Sequence, residues 1–186
     1  FELVCKMIQE SIQKGMKMVP ISFNLSKASF EDEPFMQEYM EVFQQFDIPK
    51  EYIEFELLES ISMDNSDKLI KVVDTIHKAG FRCALDDFGS GYSSMSVLAR
   101  VPIDIIKLDR SLFQNPYRDI DKFLIVDGLL DILHHFPVQI VAEGVEDETV
   151  AEHMRQHGCD MIQGFYYYRP MPMDEFQRLI AEQGEC

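Results

Sequence analysis

Nowhere in these 186 residues does an apolar run approach the roughly 18 positions that a membrane-spanning helix needs, and no secretory leader pattern opens the chain. Cysteine is sparse. Cys5, Cys83, Cys159 and Cys186 show no Cys-x-x-Cys spacing and are too few for a disulfide scaffold, so free thiols in a reducing cytoplasm are expected. Positive charge is also short: 17 Lys and Arg stand against 33 Asp and Glu, a net charge of −16. Such a surface repels nucleic-acid backbones and anionic membranes, which argues against a polymeric nucleic acid or a membrane as partner. A small phosphate ester remains admissible where cations neutralise it locally. No low-complexity tract, linker or charge block divides the chain, so one domain over residues 1–186 is expected. Phe1 falls inside a helix-like stretch, which reads as a piece of a longer polypeptide with an unknown upstream regulatory domain and a parent open to membrane tethering.

Short β-rich runs alternate with helix-like segments. The runs are Val19–Ser26, Tyr52–Glu59, Phe81–Asp87, Ile103–Leu108, Gln139–Gly144 and Met161–Tyr167. Between two of them, Asp67–Ala79 carries an apolar stripe of Leu69, Ile70, Val72, Val73 and Ile76, and Gly80 supplies the stop. Strand–helix repetition of this kind predicts a parallel sheet. Each run also finishes in a residue that is costly to bury: Asn24, Glu56, Asp86 with Asp87, Lys107, Glu143 and Gln163. Polar groups on every strand end suit a closed (β/α)8 barrel, whose active site lies at the C-terminal mouth. An open doubly wound sheet gathers them mainly at its switch point, and no Gly-rich phosphate fingerprint follows any run. The expected fold is therefore α/β, TIM-barrel-like and incomplete. About six of the eight strand–helix units are present, with Phe1–Lys14 as the helix after the second, absent strand.

The same strand ends carry a family pattern. Ser22-Phe-Asn-Leu-Ser26, Glu56-Leu-Leu-Glu59, Asp86-Asp-Phe-Gly-Ser-Gly-Tyr-Ser-Ser94, Lys107-Leu-Asp-Arg-Ser111, Val141-Ala-Glu-Gly-Val-Glu146 and Gln163-Gly-Phe165 resemble, in order, the successive motifs of EAL-type cyclic-di-GMP phosphodiesterase domains. The resemblance covers nearly the whole chain. Two departures stand out: no Glu-Ala-Leu triplet occurs, and Leu58 sits where the family usually has Thr.

The resemblance implies bacterial second-messenger signalling: hydrolysis of one phosphodiester bond of cyclic di-GMP to linear pGpG, with two Mg²⁺ or Mn²⁺ ions. Several carboxylates and an Asn carbonyl, without Cys or His, suit such hard cations. By the family pattern Asn24, Glu56 and Asp86 hold one ion, and Asp86 bridges to a second held by Asp87 and Glu143. Lys107 orients the attacking water, with Asp109 alongside at the two-residue strand period and Glu146 acting through outer contacts. Gln163 lines the substrate pocket, and Glu59 braces the Phe88–Ser94 loop, which in the family couples the site to a homodimer. The missing triplet removes a metal ligand and a phosphate-holding Arg, so these residues alone are expected to hydrolyse weakly or not at all.

Blander alternatives attach to each residue. A lone Asp at a strand end is an ordinary helix cap, Lys107 and Asp109 can be an ion pair, and Glu59 can be a capping residue. The aromatic run Phe165–Tyr168 reads first as packing rather than a guanine platform. His77, His134, His135, His153 and His157 read as surface residues on helices, and the methionines as core filler. Two further functions compete: a degenerate domain that binds cyclic di-GMP or a protein without hydrolysis, and a barrel aldolase or enolase-like enzyme working through Lys107. The second does not call for Glu56, Asp86, Asp87 and Glu143 to converge.

Overall fold

A computed structural model describes residues 1–25, 35–58, 66–90, 98–113 and 123–183. Helix α1 (Glu2–Gln13) leads into β1 (Ile21–Asn24), α2 (Phe35–Phe43) and, through a single 3-10 turn (Lys50–Tyr52), β2 (Ile53–Leu58). Then come α3 (Ser66–Lys78), β3 (Arg82–Phe88), β4 (Ile105–Leu108) and a second 3-10 turn (Arg110–Leu112). The chain continues through α4 (Leu124–Leu133), β5 (Gln139–Ala142), α5 (Glu148–Gln156), β6 (Met161–Ile162) and α6 (Met173–Gln183). The six strands lie side by side in chain order, every neighbouring pair parallel. This is the expected partial barrel: a curled half-barrel with helices between its strands.

Strand alternation divides the side chains into two sets. One set, including Ile53, Phe55, Leu57, Cys83, Leu85, Ile106, Leu108, Ile140 and Ala142, is fully or nearly buried in a continuous core shared with the helices. From α3 the stripe reaches it as Leu69, Val72, Val73 and Ile76, all buried as their spacing predicts. The other set faces the inside of the curl in tiers. At the N-terminal ends of the strands, Ser22 donates to Glu54 at 3.4 Å, Arg82 donates to Glu54 at 3.0 Å and also to Gln139. Above them Ala84, Ile105 and Val141 form a small separate apolar cluster. Above that, at the C-terminal ends, stand the polar residues of the mouth. Layered filling of this kind is what a TIM-type sheet requires.

Two expectations need correction. The last run, Met161–Tyr167, is a strand only over Met161–Ile162; Phe165–Tyr167 form a turn, and Phe165, Tyr166, Tyr167 and Tyr168 are exposed rather than packed. The reason sits at Gly164, where an added Cβ would lie 2.1 Å from the Val145 carbonyl oxygen. Backbone crosses backbone there, and the chain leaves the ladder. The histidines are not uniformly surface groups either. His77 bonds Asp104 at 2.8 Å and His153 bonds Asp127 at 2.6 Å, both half-buried. Cys5 and Cys83 are buried free thiols, Cys159 is partly buried, and Cys186 lies outside the described residues.

Candidate metal centre

Glu56 occupies the inward face of β2, with Asn24 of β1 as its register partner and Lys107 reaching it from β4. Glu56, Asp86 and Lys107 are buried, at 6, 9 and 6% exposure. Lys107 Nζ lies 2.5 Å from Glu56, 2.5 Å from Glu143 and 3.8 Å from Asp86. One ammonium thus serves three carboxylates on three different strands or strand ends. Asn24, at the end of β1, is exposed at the rim.

Neighbouring residues of a regular strand point to opposite faces, so Asp86 and Asp87 should diverge. They do not. Between Leu85↔Ile106 and Phe88↔Leu108 the β3–β4 register gains one residue on β3, a bulge centred on the two aspartates. Asp87 takes φ 58°, the left-handed region that Asp tolerates better than most residues, and its N–H donates to the Asp86 carboxylate at 3.0 Å. The kink turns both side chains toward the mouth. Carboxylate oxygens of Asp86, Asp87 and Glu143 lie within 4.8 Å of one another.

The electrostatics follow from crowding. Burial, reinforced by Asp86 and opposed by Lys107, pushes Glu143 up to about 7. Burial, Asp86 and Asp109 raise Asp87. Lys107 is raised as well: burial works against its charge, but its hydrogen bonds to Glu143 and Glu56 outweigh that. Four carboxylates against one ammonium leave an excess of negative charge that further cations would relieve. Hard oxygen donors, partly buried and within reach of a single ion, fit Mg²⁺ or Mn²⁺ better than a softer metal.

The remaining expected residues are more dispersed. Asp109 accepts from the Ser111 N–H at 3.0 Å and caps the 3-10 turn, although it is close enough to raise Asp87. Glu146 is exposed and pairs with Arg110 at 3.6 Å. Gln163 is exposed, its backbone bonded to Ala142 and Val145. Glu59 and most of the loop it was expected to brace lie outside the described residues. Glu146 and Gln163 do meet across a cleft of about 440 Å³, lined also by Arg110, Phe165, Tyr168 and Arg169. Sequence reasoning missed both arginines. Arg110 follows Asp109 directly and Arg169 follows the aromatic run, so adjacency to those motifs was the available signal; Arg169 lies 4.5 Å over the Phe165 ring.

The EAL domain profile matches residues 1–170. The chain belongs to the EAL domain family. This EAL domain is 30% identical over 179 residues to the signaling protein YkoW of Bacillus subtilis, covering 96% of the chain and 22% of YkoW. It is 32% identical over 169 residues to the cyclic di-GMP phosphodiesterase PdeB of Shewanella oneidensis, covering 88% and 20%. Among solved structures, the EAL domain of Mycobacterium smegmatis DcpA superposes with a TM-score of 0.85 at 28% identity, over 98% of this chain and 82% of that one. The PaMucR phosphodiesterase in complex with c-di-GMP gives 0.85 at 28%, over 94% and 71%. This EAL domain spans about a fifth of the length of these curated relatives.

Proposed function

We propose that this EAL domain hydrolyses cyclic di-GMP to linear pGpG within its full-length protein, using two Mg²⁺ or Mn²⁺ ions. The observation that carries the proposal is the convergence of Glu56, Asp86, Asp87 and Glu143 around Lys107 at one strand-end mouth. Asn24, Glu56 and Asp86 are assigned to one ion, and Asp86, Asp87 and Glu143 to the other. When bound, a pair of divalent ions neutralises the phosphodiester and lowers the pKa of the attacking water.

The chain's own groups supply the rest. Lys107, held by Glu56 and Glu143, points its N–H donors into the mouth, where they orient the water oxygen. A water oxygen adds to phosphorus as one P–O ester bond breaks, and the leaving oxygen takes up a proton. Asp109 is assigned the position beside Lys107. Arg110 and Arg169 bring positive charge to a strongly acidic domain, beside exposed rings suited to stacking on a purine. Glu146 holds Arg110, and Gln163 offers its amide to the same cleft. Glu59 is assigned to bracing the loop after Asp87. A homodimer is the favoured assembly, because Leu124, Ile125 and Ile132 stand 62, 62 and 47% exposed on α4. No helix among the described residues is long and apolar enough to cross a membrane; a cytoplasmic setting is proposed from the thiols.

A receptor without hydrolysis is the second reading, favoured by the absence of a Glu-Ala-Leu triplet from these 186 residues and by Leu58, which stands opposite Asp86 in the ladder. Chromatography of cyclic di-GMP incubated with the full-length protein and Mn²⁺ separates the two. Accumulating pGpG, lost on Glu56→Gln, supports the enzyme. Calorimetric binding with no pGpG leaves the receptor.

A further inference from the structure

On the helical layer, away from the strand ends, a second cluster of ligating side chains joins two helices. His153 and His157 stand one helical turn apart at the C-terminal end of α5, and Asp127 faces them from α4. Their ligand atoms lie within 4.8 Å of one another. We propose that Asp127, His153 and His157 form a site for a first-row transition cation of the Zn²⁺, Co²⁺ or Ni²⁺ class, clipping α4 to α5.

Donor proximity and tautomer both point that way. The His157 Nδ1 lies 2.8 Å from the His153 carbonyl oxygen, which can only accept, so Nδ1 carries the proton and Nε2 presents its lone pair. Binding of one ring nitrogen to a carbonyl is how metal-ligating imidazoles are commonly oriented. His153 stacks on Phe123 at 3.6 Å and on His157 at 4.0 Å. Its Nε2 faces Asp127 Oδ1 at 2.6 Å. A tetrahedral ion holding its ligands at about 2.0–2.1 Å spaces them roughly 3.3 Å apart. The His153 and His157 planes lie 18° from parallel, so the exposed His157 ring turns off the face of His153 to bring both lone pairs to the ion. On binding, the His153 proton moves from Nε2 to Nδ1. His157 is exposed and Asp127 half-buried, which gives the ion a path from solvent.

The donor set separates this site from the mouth. Two imidazoles and one carboxylate select Zn²⁺, Co²⁺ or Ni²⁺, whereas the all-oxygen set of Glu56, Asp86, Asp87 and Glu143 suits Mg²⁺ or Mn²⁺. The inference does not rest on phosphodiesterase activity. The clip joins the helix that follows β4 to the helix that follows β5, and those strands lead to Lys107 and Glu143.

The test is a Zn²⁺ titration of the chain, free of any polyhistidine tag, in excess Mg²⁺ to occupy the oxygen cluster. Long-range ¹H–¹⁵N spectra should show the Nε2 signals of His153 and His157 shifting together, with those of His77, His134 and His135 unmoved. Calorimetry should show one Zn²⁺ per chain at this site, weakened at least tenfold by His157→Ala and by Asp127→Asn. At about 100 times the dissociation constant, Zn²⁺ should raise Tm by roughly 5 °C. His157 is exposed, so its alanine variant keeps the fold. Unshifted His153 and His157 signals would overturn the proposal and leave an Asp127–His153 ion pair with a stacked neighbour. Equal Zn²⁺ affinity in wild type and His157→Ala would overturn it as well.

Discussion

Asp87 donates its backbone N–H to the carboxylate of Asp86 from a left-handed backbone, φ 58°, inside the β3 bulge. This local kink lets two adjacent acids serve one site. Glycine accepts that conformation without steric cost. Asp87→Gly should therefore stay within about 1 kcal/mol of wild-type stability, while Mn²⁺ affinity, followed by calorimetry, falls at least tenfold. A β-branched replacement such as Asp87→Val should cost about 2 kcal/mol in urea unfolding.

Lys107 is the cation that holds Glu56, Asp86 and Glu143 together. Lys107→Met leaves buried carboxylates without their ammonium, a loss on the order of 3–5 kcal/mol near pH 7. Glu143, pushed up to about 7 by burial, takes up a proton as the pH falls, so the deficit should shrink toward pH 5. Urea midpoints of the two proteins at both pH values measure the difference; a pH-independent deficit would mean that only packing was lost.

Glu143 is raised to about 7 from an unfolded value near 4.5, so the folded state holds its proton more tightly. Its contribution to stability is complete below about 4.5 and is lost as pH rises through about 7. In EDTA, the wild type should lose up to about 3 kcal/mol across that window relative to Glu143→Gln. Saturating Mg²⁺ at pH 7 should recover much of it, because the ion takes the proton's place. Denaturant titrations at half-unit pH intervals read the slope.

Gly164→Ala places a methyl 2.1 Å from the Val145 carbonyl oxygen, and the nearest obstructing atoms are all Val145 backbone. Destabilisation of about 3 kcal/mol is expected. The Gln163 and Tyr166 amides, which bond Ala142 and Val145, should lose hydrogen-exchange protection with it.

For the proposed hydrolysis, Arg110 acts in binding and Glu56 in chemistry. Steady-state kinetics on the full-length protein should give Arg110→Ala a KM about tenfold higher with kcat little changed. Glu56→Gln should lower kcat at least 100-fold. A kcat loss alone for Arg110→Ala would move that residue out of the substrate cleft.

By itself the sequence determined the repeating architecture and the inventory of the mouth. Runs such as Tyr52–Glu59 and the stripe of Asp67–Ala79 announce strand and helix through periodicity, and β2 and α3 follow within a residue or two. Acids at strand ends are legible because burial of charge is costly wherever the strand lies. Only the tertiary structure decided how those groups face one another. The bulge that unites Asp86 with Asp87, the triple pairing of Lys107 and the turn that exposes Phe165–Tyr168 all depend on register against neighbouring strands. The Asp127–His153–His157 meeting depends on two helices packing side by side. Such contacts join residues that local periodicity treats as unrelated, because periodicity reports which face a side chain takes and not which partner waits there.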